Sequence, residues 1–199
     1  MSESERQWLV AVLVSLLVAI RIVSHLVAGG MFRDQSDGVA REGGVWLAAG
    51  LRLVFLLGGL GGLLLWLVEP SWMPWQLDLP PVAHLAGLVL AELGLVLLVW
   101  VQISLGVHFS GTLHLRDDHQ LVRHGPYARV RHPMYSAFLL IFFGLTLLTG
   151  NALIGAVLLG SQVWVLGWRL PKEEQALAER FGSSWQTYHA QTGALTPWF

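Results

Sequence analysis

The sequence predicts an all-α integral membrane protein of about five transmembrane helices, the last two forming a helical hairpin, with a further C-terminal helix in the cytoplasm. Three observations carry this reading. Charged residues make up only 13% of the chain and hydrophobic residues 54%, where a soluble domain carries roughly 25% charged residues. The mean hydropathy is +0.58. The apolar residues fall in runs near the roughly 20 residues needed to cross a hydrocarbon core, separated by polar loops. The chain also holds 10 Trp, a side chain that favours the membrane–water interface. A net charge of −1 gives no global field for nucleic acid. The absence of Cys excludes disulfides, thiolate metal sites and Cys nucleophiles.

Trp8–Ala28 is the first span. Glu3 and Glu5 make its flank acidic as well as basic, and the run is long for a signal sequence, so it reads as a retained helix. Arg21 and His25 lie one turn apart near its end. Met31–Gly44 is a polar loop. Val45–Val68 is the second span, with Arg52 and the run Gly58-Gly-Leu-Gly-Gly62. Those glycines are expected to permit close helix approach rather than to cradle phosphate, which needs a preceding strand. Glu69–Pro81, with four Pro, Trp72 and Trp75 but no Lys or Arg, reads as an interfacial loop.

Val82–Leu105 is the third span and contains Glu92 and Gln102. A long polar connection, Gly106–Arg131, follows. Pro133–Leu148 and Ala152–Leu170 form the hairpin around the turn signal Thr149-Gly-Asn151. Pro171 is expected in the first turn of a new helix. That helix, Lys172–His189, is amphipathic, with Leu177, Phe181, Trp185 and Tyr188 at helical spacing.

With five spans, one side receives Arg33, Arg41, Arg116, Arg123, Arg129, Arg131, Lys172 and Arg180, with Arg169 at its edge, and the other only Arg6. The positive-inside rule makes the rich side cytoplasmic, as in the inner membrane if the cell is bacterial. The hairpin then returns Arg169-Leu-Pro-Lys-Glu-Glu174 to the face that carries Leu121–Tyr135.

Two polar clusters therefore share one face. In the first, Pro126 and Pro133 fix φ and turn the residues before them away from helix. The resulting loop presents donors (Arg131, His124, His132) and aromatic faces (Tyr127, Tyr135), a set suited to a ligand with an anionic end, a flat ring and hydroxyls. Binding of membrane lipid headgroups would explain the arginines but not the paired Pro and Tyr. In the second cluster, Arg169 and Glu173 stand four apart, on one helix face. An ion pair at that spacing is worth only about 0.2–0.5 kcal/mol, so stability is a weak reason for it. The five His from His108 to His132 fit no zinc spacing, and no metal site is expected. Arg21, His25, Arg52 and Glu92 are apolar-span ionisable groups that would snorkel, pair, or line a cavity.

The blocks Leu121-Val-x-x-Gly-Pro-Tyr127, Arg131-His-Pro-x-Tyr135, Arg169-x-x-x-Glu173-Glu174, Phe181-Gly182 and Tyr188 resemble the isoprenylcysteine carboxyl methyltransferase family and its prokaryotic relatives. The resemblance covers about the C-terminal half. It implies a single membrane methyltransferase domain over residues 1–199, with family-variable spans in 1–80 and a cofactor-binding core in 82–199. It implies S-adenosyl-L-methionine as cofactor, contacted by His114, His119, Gln120, Leu121, Val122, Tyr127, His132, Pro133, Met134, Tyr135 and Glu173. It gives Arg169 the acceptor's carboxylate, on an amphipathic or lipid-linked substrate entering from the bilayer. The same architecture resembles membrane reductases of the sterol-reductase type, which use NADPH. A non-enzymatic membrane subunit is the third reading.

Overall fold

The computed structural model describes residues 1–27, 45–105 and 121–197. They form six helices: α1 (Glu3–Val27), α2 (Val45–Val68), α3 (Pro81–Leu105), α4 (Pro133–Thr149), α5 (Ala152–Phe181) and α6 (Ser183–Gln191). Short 3₁₀ turns lie at Pro70–Trp72 and Gly125–Ala128. The core is Val10, Trp66, Leu98, Ile141, Leu145, Leu148 and Ile154, each at most 2% exposed and drawn from all five long helices. The outside is also apolar: Leu64, Val82, Leu93, Val96, Ile103 and Val163 are all exposed. A surface of that kind is stable against lipid, not water. Glu3–Ser24, Pro81–Leu105 and Ala152–Phe181 are long and apolar enough to cross a membrane. Glu92 is exposed on α3, and the side chains of His25 and Arg52 lie outside the described set.

α3 and α4 pack backbone to backbone. A Cβ on Gly87 would lie 2.7 Å from Gly144 O and Leu148 N, and one on Gly94 would lie 2.8 Å from Ala137 O. The glycine run of α2 does not do this. Its Gly59 admits a side chain of α5 closely, since a Cβ there would lie 2.9 Å from Leu158 Cδ2, but no backbone approaches: Gly61 has nothing within 4 Å, and Gly58 meets only Val157 Cγ1 at 3.6 Å. The backbone-to-backbone approach thus rests on Gly87, Gly94 and Gly144, which stand apart in the sequence and carry no motif.

One end of the bundle is closed by polar contacts. His84 Nδ1 lies 2.8 Å from Leu147 O and its Nε2 lies 3.4 Å from Arg6 Nη1. Leu77 N donates to Gly150 O at 2.7 Å and Ala152 N to Trp75 O at 3.0 Å. The hairpin turn uses Gly150 at φ 62, left-handed backbone that glycine takes without strain. Asn151 is fully buried. Its Oδ1 accepts from Ile154 N at 3.0 Å, capping α5, while its Nδ2 donates to Pro74 O at 2.8 Å. Asn151→Ala removes the cap and leaves the buried Ile154 N–H without its acceptor, so thermal unfolding in detergent should show a loss of about 2 kcal/mol.

α5 departs from the expected boundary. It runs through Pro171 without a break, and the chain turns instead at Gly182, with φ 50 and ψ −122. Pro171 would crowd the carbonyl four residues back. That residue is Gly167, where the surroundings are open and the backbone is free to adjust. Gly182 adopts a conformation disfavoured for side-chain-bearing residues, so the stop falls there. At about 1.5 Å per residue the 30-residue helix is longer than a bilayer core of about 30 Å, and its polar end projects past the apolar part.

Candidate functional site

The opposite end gathers the polar blocks. The chain enters through half-buried Leu121 and Val122. Gly125 follows at φ 60, where a Cβ would collide with Ser104 Oγ. Pro133 opens α4 at a position where a missing N–H costs nothing. His132 and Tyr135 are thereby set on either side of the α4 start, both buried.

Glu173 and Glu174, one turn beyond Arg169 on α5, receive them. Tyr135 Oη donates to Glu173 Oε2 at 2.8 Å, and Arg169 Nε donates to Glu173 Oε1 at 2.5 Å. His132 Nε2 lies 3.2 Å from Glu174 Oε1, with Nδ1 3.9 Å from Glu173 Oε2. The His132 and Tyr135 rings stack, centroids 5.9 Å apart. The Arg169–Glu173 spacing foreseen on one helix face is thus a direct contact, tied across to α4 by Tyr135.

Arg131 serves a different purpose from the ligand donor expected of it. Its guanidinium donates through Nε to Glu174 Oε1 at 3.1 Å and through Nη1 to His189 O at 2.9 Å and to Thr192 O. The backbone continues the join: Arg131 N donates to Gly193 O at 2.8 Å and His132 N to Ala194 O at 2.9 Å. Ser136 Oγ reaches Leu195 O at 2.5 Å. The C-terminal segment is therefore bound along the start of α4. His189 keeps a 45% exposed side chain and has its Nε2 3.8 Å from Glu174 Oε2.

Tyr127 faces the same cluster. Burial first, then the charges of Tyr188, Glu173 and Tyr135, push its phenol well above the ordinary range. Burial likewise pushes Tyr188 up to about 12, and its Oη donates to Tyr127 O at 2.7 Å. Both phenols stay neutral at physiological pH. Met134 lies half-buried on the first turn of α4, with its Sδ 3.8 Å from Arg21 Nη1. His114, His119 and Gln120 lie outside the described residues. Sequence reasoning did not foresee Glu174 as the shared acceptor, Arg131 as a tether, or Arg21 as a neighbour of α4. Each depends on contacts across some 40 residues or more, for which local spacing carries no signal.

Residues 85–179 match the model of the isoprenylcysteine carboxyl methyltransferase (ICMT) family. The C-terminal half of this chain resembles that family. A probable protein-S-isoprenylcysteine O-methyltransferase of Oryza sativa subsp. indica is 32% identical over 105 residues, 51% of this chain and 54% of that protein. Protein-S-isoprenylcysteine O-methyltransferase B of Arabidopsis thaliana is 32% identical over 114 residues, 56% and 57% of the two chains. The Schizosaccharomyces pombe protein-S-isoprenylcysteine O-methyltransferase is 35% identical over 81 residues, 40% and 34% of the two. The chain spans about half the length of the two plant relatives it matches. A solved structure, that of the eukaryotic intramembrane Ras methyltransferase ICMT, superimposes with a TM-score of 0.61 at 20% identity, over 100% of this chain and 68% of that one. The chain thus shares the ICMT fold; it is all-helical among the described residues and a multi-pass membrane protein.

Proposed function

We propose that the protein is an S-adenosylmethionine-dependent methyltransferase acting on the carboxylate of an amphipathic or lipid-linked acceptor such as an isoprenylcysteine. The observation that carries the reading is the convergence of His132 and Tyr135 with Arg169, Glu173 and Glu174 at one end of the bundle, within the family-matched segment. The donor set suits the cofactor. Glu173 offers negative charge near a sulfonium, Tyr127 and Tyr135 offer ring faces and hydroxyls, and His132 offers a ring nitrogen. His114, His119, Gln120, Leu121, Val122, Pro133 and Met134 complete the candidate contacts.

When bound, S-adenosylmethionine supplies an already activated methyl group for in-line displacement. The chain then has little acid–base work to do. Its contribution is positioning, which supplies up to about 7–11 kcal/mol of barrier reduction. Glu173 orients the guanidinium of Arg169, whose fork matches a carboxylate. The half-buried Tyr127 and the buried Tyr135 keep water from the nucleophile. In this reading, residues 1–199 form one domain with five spans and a core in 82–199, and the site faces the cytoplasm. The acceptor comes sideways from the bilayer.

Calorimetric titration in detergent with S-adenosylmethionine, S-adenosylhomocysteine and NADPH tests the reading. Both adenosyl ligands should bind. His132→Ala, which removes a hydrogen bond to a charged group worth about 1.5–3 kcal/mol, should weaken them roughly tenfold or more. Binding of NADPH alone would make the protein a reductase, and silence from all three would make it a non-enzymatic subunit.

A further inference from the structure

The last few residues of a chain are ordinarily loose unless something ties them down. Here Thr192 and Gly193 are buried, and the four successive carbonyls of residues 192–195 each accept a hydrogen bond. Thr192 O accepts from Arg131 Nη1, and Gly193 O from Arg131 N at 2.8 Å. Ala194 O accepts from His132 N at 2.9 Å, and Leu195 O from Ser136 Oγ at 2.5 Å. Gly193 N donates back to Arg129 O at 3.3 Å, so the two stretches pair in parallel at Val130 and Gly193. One bond would suffice to hold an end. This segment instead follows the block that carries His132 and Tyr135, and it lies beyond the family-matched residues 85–179.

The start of α4 shows what the segment contributes. Pro133 opens the helix without an N–H, and His132 caps it with no side-chain hydrogen bond. His132 O accepts from Tyr135 N at 3.1 Å within the helix, and His132 N is held by Ala194 O. The ring is held from the other side, by Glu174 Oε1 at 3.2 Å. Ser136, one turn along α4 from His132, fastens the segment through Leu195 O. We infer that residues 192–195 are a positioning strap, fastened by Ser136, that sets the His132 ring for the adenosyl ligand. The inference rests on the proposed function for the identity of that ligand. It makes Ser136 a positioning residue, which acts through the strap and His132. A ring held in place before the ligand arrives avoids the ordering cost of binding, so a loosened strap returns that cost as weaker affinity.

The test uses the full chain in detergent, with S-adenosylhomocysteine as the probe, thermal unfolding for stability and amide hydrogen exchange for the strap. Ser136→Ala should weaken S-adenosylhomocysteine about fivefold, the effect of one net hydrogen bond. It should also speed exchange at the Arg131 and His132 amides while α3 stays protected. Its unfolding midpoint without ligand should fall by less than about 4 °C. Ser136→Thr keeps the hydroxyl and should bind within about twofold of wild type. In a His132→Ala background, Ser136→Ala should change affinity by less than about twofold, because the strap then has no ring to place. Full affinity in Ser136→Ala, or an equal loss with and without His132, overturns the inference. So does a loss of affinity accompanied by a larger fall in the midpoint, because that marks a structural role. If wild type binds no adenosyl ligand, the methyltransferase reading fails and exchange alone decides the strap. Faster exchange at Arg131 and His132 in Ser136→Ala then upholds it, and unchanged exchange overturns it.

Discussion

Gly144→Ala should lower stability by about 2 kcal/mol, although the same change in most helices stabilises by up to about 1 kcal/mol. The new Cβ would sit 2.6 Å from both Ala91 N and Gly87 O. Both are backbone atoms, so no rotamer change relieves the contact and α3 must move away from α4. α4 carries His132 and Tyr135 at its start, whereas Glu173 and Glu174 ride on α5. Separating α3 from α4 therefore shifts one half of the candidate site against the other, and displacement by about 1 Å costs on the order of 10²-fold in rate. Thermal unfolding in detergent and S-adenosylhomocysteine titration should show both losses. Gly61→Ala is the matched control, because that Cβ meets nothing within 4 Å; its effect should stay within about 0.5 kcal/mol. Equal stability of the two variants would show that α3 and α4 do not depend on this contact.

Hydropathy decides where an apolar helix begins and ends, so that layer was legible in the sequence. α2 has the expected bounds, Val45–Val68, and α3 begins one residue before the expected Val82. Proline was the misleading signal. Pro171 reads locally as a helix start, but the cost of a proline depends on the turn behind it, and here that turn contains Gly167. The candidate site was legible as to which blocks meet, because the positive-inside rule and a two-span hairpin place them on one face. The pairing within it was not. Glu173 and Glu174 are adjacent acids that one sequence cannot assign, yet the structure gives the first to Arg169 and Tyr135 and the second to Arg131 and His132. Glycine was legible only in part: the cluster on α2 admits the Leu158 side chain at Gly59, while backbone-to-backbone approach requires glycines that face a partner backbone, as Gly87 and Gly144 do across some sixty residues.

The same distinction between residue type and residue partner governs Arg131. Its side chain is only 5% exposed and its partner Glu174 is 26% exposed. Arg131→Met should therefore cost about 3–5 kcal/mol, the penalty for breaking a buried pair and leaving one charge behind. That is a large share of a typical total of about 5–15 kcal/mol. The damage should also be local. Arg131 reaches Glu174, His189 O and Thr192 O at once, from α5, α6 and the chain beyond. Without it, α6 loses its side-chain tether to α4 and α5, and only the joins at Gly193, Ala194 and Leu195 still hold the segment beyond it. Hydrogen exchange should show α6 amides opening while α3 and α4 stay protected. Arg131→Lys should rescue little, because a point ammonium does not replace a planar fork across three acceptors. Arg123→Gln makes the comparison: Arg123 is exposed, donates to Ser184 O at 2.7 Å, and lies over the Tyr188 ring at 5.7 Å, contacts worth about 1 kcal/mol at such a site. An Arg131→Met protein no less stable than Arg123→Gln, with α6 still protected, would falsify the tether and leave Glu174 to be explained by His132 alone.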